Sequence, residues 1–110
     1  MKLAIINYKK EASMRAYSRL RQRGVEIVHQ KSLADFLEKH KSFEGFDGVI
    51  LHPATWRETI QIMNERFPET HYILATFNIG EQVKSIEGVR IFDFMDTNGM
   101  INYFKSLNQN

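Results

Sequence analysis

Cysteine is absent from this chain, which excludes a disulfide framework, a thiolate zinc site and a thiol nucleophile. No apolar run approaches the ~20 residues that a membrane span requires. Nothing resembles a signal peptide, because Met1-Lys2 leads straight into a short apolar run, Leu3 to Ile6. A cytoplasmic domain is the expectation. No repeat, linker or low-complexity tract divides the sequence. The loop of residues 8–13 contains no glycine, whereas a nucleotide or flavin site prefers a glycine-rich first loop.

What is present is one domain's worth of chain: 110 residues, 43% apolar and 12% aromatic. That is enough for a single core without staples. The net charge of +2 hides an asymmetry. Residues 1–31 carry eight Lys/Arg against Glu11 and Glu26, a charge of +6, and the remainder carries seven against eleven, a charge of −4. A basic face of this kind can steer an acidic partner, although a charge run is also the ordinary dress of a solvated helix.

Periodicity reads as five strands alternating with helices. Lys2 to Asn7 is a short apolar run suited to a buried parallel strand. Ser13 can cap a helix with Met14, Ala16, Tyr17 and Leu20 at helical spacing, stopped by Gly24 at the C′ position. Val25–His29 is the second strand. Ser32 precedes a helix with Leu33, Phe36 and Leu37, ending near His40, with Asp35 well placed in its first turn. Residues 43–48 turn into a third strand, Val49–His52, and Pro53 holds its predecessor extended. Thr55 and Glu58 form a capping box for a helix with Ile60, Met63 and Phe67 inward, ended by Pro68. Tyr72–Thr76 and Val89–Phe92 are the fourth and fifth strands. A last helix spans Asn98 to Leu107 with Met100, Ile101, Phe104 and Leu107 inward. Between Asn78 and Gly88 there is room for barely two helical turns, near the minimum for a crossover. The fourth of five helices is thus expected to be short.

Alternation of this kind implies an α/β domain over residues 1–110: a five-stranded parallel sheet wound by right-handed crossovers, in the order 2-1-3-4-5. Such folds do their chemistry at the carboxyl ends of the strands. The first three ends, Asn7-Tyr8, Gln30-Lys31-Ser32 and His52-Pro53, hold no acidic residue.

The element order and spacing resemble the receiver domain of bacterial response regulators over essentially the whole chain, a flavodoxin-like layout. On that resemblance the family's acidic pair falls on Asn7 and Tyr8, its phosphoaccepting aspartate on His52, and its lysine on Phe92 or Asp93. The switch hydroxyl falls on Thr76, the one position that matches. Phosphotransfer to a carboxylate needs Mg²⁺ held by hard oxygen ligands and a cation to neutralise the acyl phosphate. The resemblance therefore implies a pseudo-receiver with a degenerate pocket of Asn7, Tyr8, His52, Thr76, Phe92 and Asp93, no metal and no cofactor.

Other readings stand beside this one. His52 could serve as a phosphoaccepting group or general base oriented by Asp93 or Asp96; the plainer reading is a strand-end histidine satisfied by a backbone carbonyl. His29, His40, His52 and His71 have no ligand spacing. A small-ligand sensor or enzyme would use the strand-end pocket around Asn7, Tyr8, His52 and Thr76, with Lys9 and Lys10 available to an anion. Arg15, Arg19 and Arg23 recur every fourth residue and share one side of the first helix, with Arg21 flanking. They are candidates for a protein partner, of signalling type on the family resemblance. No nucleic-acid motif or membrane element accompanies them. Phe92 and Phe94 alternate on the fifth strand, and Phe94, Tyr103 and Phe104 are candidates for an exposed apolar face through which the chain forms a homodimer; alternatively these rings fill the core. The preferred expectation is a non-catalytic regulatory domain acting through binding and oligomerisation.

Overall fold

The computed structural model describes residues 1–7, 14–52, 56–76 and 88–108. These form β1 (Lys2–Asn7), α1 (Met14–Gln22), β2 (Glu26–Gln30), α2 (Leu33–His40), β3 (Gly48–His52), α3 (Trp56–Arg66), β4 (Tyr72–Thr76), β5 (Ile91–Asp93) and α4 (Thr97–Leu107). The five strands make one all-parallel sheet in the order β2-β1-β3-β4-β5, the flavodoxin-like layout expected. No helix among the described residues is long and apolar enough to cross a membrane.

Successive strand residues point to opposite faces, and the core divides accordingly. Leu3, Ile5, Ile50, Ile73 and Ala75 pack under α1 and α4, against Ala16, Tyr17, Leu20, Met100, Ile101 and Phe104. Ala4, Ile6, Val49, Leu51 and Leu74 face α2 and α3, against Leu33, Phe36, Ile60 and Met63. Both layers being covered explains why β1 and β3 read as unbroken apolar runs. Each fully buried side chain of Leu, Ile or Phe size contributes about 1.5–3 kcal/mol relative to exposure.

Local signals operate as expected in several places. Gly24 has φ +81 beyond the end of α1. Ser32 caps α2, its Oγ accepting from the Asp35 N–H at 3.1 Å. The same helix closes on Lys41, a non-glycine residue at φ 62 whose N–H donates to the Leu37 carbonyl. Asp96 caps α4, its carboxylate accepting from the Gly99 N–H at 3.0 Å. At the other end of α4, Asn108 Nδ2 donates to the Asp47 carbonyl at 3.0 Å, tying the helix to the start of β3. The close approach there requires Gly48: a Cβ at this position would run into the Phe104 ring.

The structure corrects several boundaries and placements. The second strand lies one residue later than expected, because Lys2 pairs with Glu26 and Ile6 with Gln30. The fifth is Ile91–Asp93 rather than Val89–Phe92, since Thr76 pairs with Asp93. Phe67 lies just past α3, its N–H still bonded to the Met63 carbonyl at 2.9 Å; Pro68 disfavours helical geometry for the residue before it. Leu107 is exposed, at the last position of α4. Phe94 and Phe104 expose none of their surface and belong to the core beneath α1 and α4. Neither can present an apolar face to a partner. Of that expected patch, Tyr103 remains half-buried at the margin of the core, beside Phe92. The Ser13 and Thr55 caps, Tyr8, Lys9, Lys10, Pro53 and the short fourth crossover helix lie outside the described residues.

Candidate functional site

Parallel pairing lines up the carboxyl ends of the strands. Asn7 is the register partner of His52, and Thr76 that of Asp93. The period-two alternation places Asn7 and His52 on the α1/α4 face, following Leu3, Ile5 and Ile50, with Thr76 and Asp93 on the opposite side. Of the expected pocket residues that are described, Asn7, His52 and Phe92 thus lie on one face and Thr76 and Asp93 on the other.

Asn7 is fully buried. Its Nδ2 donates to the Tyr17 hydroxyl at 2.8 Å, and the His29 ring Nε2 donates to its backbone carbonyl at 3.0 Å. A carbonyl only accepts, so the hydrogen in the second bond resides on His29 Nε2. Tyr17 comes from the inner stripe of α1 and is 1% exposed. Its ring lies 5.5 Å from that of His29 and meets Phe94 edge-on at 6.4 Å. The phenol packs beneath the end of β1 with its polar tip turned to the Asn7 amide.

His52 is half-buried at the end of β3. Its Nδ1 donates to the Ala75 carbonyl of the neighbouring strand at 2.6 Å, and its ring meets Phe94 edge-on at 5.3 Å. The plainer reading of this histidine, satisfied by a backbone carbonyl, is the arrangement observed. The two candidate orienters have structural partners: Asp93 Oδ1 accepts from the Met95 N–H at 2.8 Å, and Asp96 holds the cap of α4. Among the described residues no group of three or more His, Cys, Asp or Glu side chains could hold a metal ion.

Arg15, Arg19, Arg21 and Arg23 are all exposed on α1 and the turn after it. Arg19 Nη1 reaches across to the Met95 carbonyl at 3.4 Å. On the far side of the molecule's β5 edge, Phe92 and Tyr103 lie with ring centroids 5.6 Å apart, and the Arg90 guanidinium covers both, at 5.7 and 5.3 Å.

Sequence reasoning assigned Tyr17 to the core as an apolar residue and gave His29 no role at this edge. The signal for Tyr17 was available: a tyrosine on the buried stripe of a helix needs a partner for its hydroxyl, and Asn7 ends the strand against which α1 packs. No family model matches the sequence, and a search of curated proteins finds no match.

Proposed function

We propose that this chain is a receiver-like regulatory domain, not phosphorylated at its strand-end edge and non-catalytic, that acts by binding a protein partner of signalling type and by self-association. The observation carrying this reading is the buried Asn7–Tyr17 pair. Asn7 stands where the family resemblance places the first metal-binding carboxylate. Mg²⁺ demands near-ideal octahedral oxygen ligation and keeps several of its waters. A neutral, fully buried amide whose nitrogen is bonded to a phenol offers neither the charge nor the room. His52, at the phosphoaccepting position, has its ring engaged with the Ala75 carbonyl.

On this reading the functional features are surfaces. The exposed arginines of α1 form a cationic face for an acidic partner, and Phe92 and Tyr103 form the half-buried apolar margin for self-association. The test is incubation with Mg²⁺ and acetyl phosphate, or with beryllofluoride, followed by intact mass and amide spectra. Unchanged mass and no Mg²⁺-dependent shifts at residues 7, 52 and 76 are expected. A stable adduct overturns the proposal.

A further inference from the structure

Between α1 and the turn that joins β5 to α4 runs an open groove of about 290 Å³, lined by Arg19, Gln22, Arg23, Met95, Asp96 and Thr97, with Asn98 at its end. We infer that this groove takes an acidic, extended peptide segment of a protein partner, whose carboxylates lie on Arg19 and Arg23. The inference deepens the protein-interaction reading above and rests on it.

The two arginines are four residues apart, so their side chains emerge from one face of the chain and define one lip. Both are exposed, and each guanidinium presents a five-donor fork matched to a carboxylate. The Arg19 contact with the Met95 carbonyl is long, 3.4 Å and solvent-exposed; it holds the side chain over the groove without consuming its donors. The opposite lip differs in charge. Asp96 stands there, one carboxylate oxygen accepting the Gly99 N–H, and its remaining acceptor sites suit peptide N–H donors. Gln22 and Asn98 supply amide groups that pair with peptide backbone in either sense.

This asymmetry selects the occupant. A lone small anion centred between the lips would meet the Asp96 charge, whereas an extended chain can place carboxylates on the α1 side and amides on the other. Enclosure points the same way: small-molecule sites bury 70–90% of their ligand, and this groove is only partly enclosed. The exposed Arg15, Arg19, Arg21 and Arg23 of α1 and the turn after it favour the approach of an acidic segment.

The test titrates the full-length chain with three probes: an octapeptide of alternating Glu and Gly, its Gln counterpart, and citrate. Amide shifts and calorimetry are read at about 50 mM and about 300 mM salt. The Glu peptide is expected to shift residues 19, 22, 23 and 95–98, to bind more weakly at the higher salt, and to lose about tenfold or more in affinity in Arg19→Glu with Arg23→Glu. The control Arg15→Glu with Arg21→Glu makes the same charge change outside the groove and should retain most of the affinity. Equal losses in the two double variants would mean diffuse electrostatics and overturn the inference. So would shifts centred elsewhere, equal binding of the Gln peptide, or citrate binding as tightly as the peptide. The acetyl phosphate experiment does not involve these residues: an adduct there sinks the proposed function, whereas a peptide-free groove with no adduct sinks only this inference.

Discussion

Asn7 and Tyr17 are joined by a 2.8 Å hydrogen bond closed to water at both ends, Asn7 exposing none of its surface and Tyr17 1%. A strand end that could have faced solvent and a cation is thereby made part of the core. Tyr17→Phe keeps the ring contacts with His29 and Phe94 and removes only the hydroxyl. Loss of one partner from a buried bond costs about 1–3 kcal/mol. Urea denaturation should show this as a lowered midpoint with unchanged slope. A loss below about 0.5 kcal/mol would show that the bond contributes little to stability.

Gly48 and Phe104 meet without room for a methyl group. Gly48→Ala should destabilise by about 1–3 kcal/mol through overpacking. Combining it with Phe104→Leu should recover part of the loss that the two single changes would give if independent. Strict additivity in denaturation measurements would indicate that the strand start shifts instead.

Lys41 closes α2 at φ 62, a conformation that disfavours a residue with a Cβ. Lys41→Gly should therefore raise stability by up to about 1 kcal/mol, the glycine's extra freedom in the unfolded chain offsetting part of the gain. Thermal melts of the two proteins compare them directly. A fall in melting temperature would contradict the expectation.

Burial raises the pKa of the Tyr72 hydroxyl above its usual 10.0. In the folded protein the phenol thus holds its proton to higher pH than in the unfolded chain. The associated stability is present below pH 10 and declines as pH rises above it. Tyr72→Phe removes this group, so the stability difference between wild type and variant should shrink between pH 9 and pH 11 on denaturant titration. A constant difference would show that Tyr72 titrates alike in both states.

Phe92, Tyr103 and Arg90 form the margin proposed for self-association. Sedimentation should find a dimer at tens of micromolar, about −6 kcal/mol of association free energy. Tyr103→Glu should weaken it more than Arg57→Glu, which changes charge on the exposed start of α3. A monomer throughout that range would refute self-association through this margin.

The element order and strand order were legible because each depends on patterns within about a dozen residues. Ser32 before Leu33, Gly24 after α1, and the unbroken run Leu3–Ile6 carry their structural meaning locally. That the first three strand ends carry no acidic residue was legible too, since Asn7 and His52 are identities rather than geometries. Misplacement arose where an edge met tertiary context. Phe94 and Phe104 were candidates for an exposed face, with the core as the alternative, because the short crossover left their cover undetermined; α1, α4 and the sheet enclose them. An apolar residue beside a strand end looks the same in sequence whichever neighbour covers it.

The sequence by itself determined a parallel α/β domain with two covered sheet faces, a basic first helix and no acidic residue at the first three strand ends. Only the tertiary structure decided that Tyr17 closes over Asn7, that His52 turns its Nδ1 to the Ala75 carbonyl 23 residues away, and that Arg19 reaches Met95 across 76 positions. The physical reason is range. Periodicity and capping report the conformation of one element at a time, whereas these contacts exist only after the strands have paired and α1 has packed on the sheet.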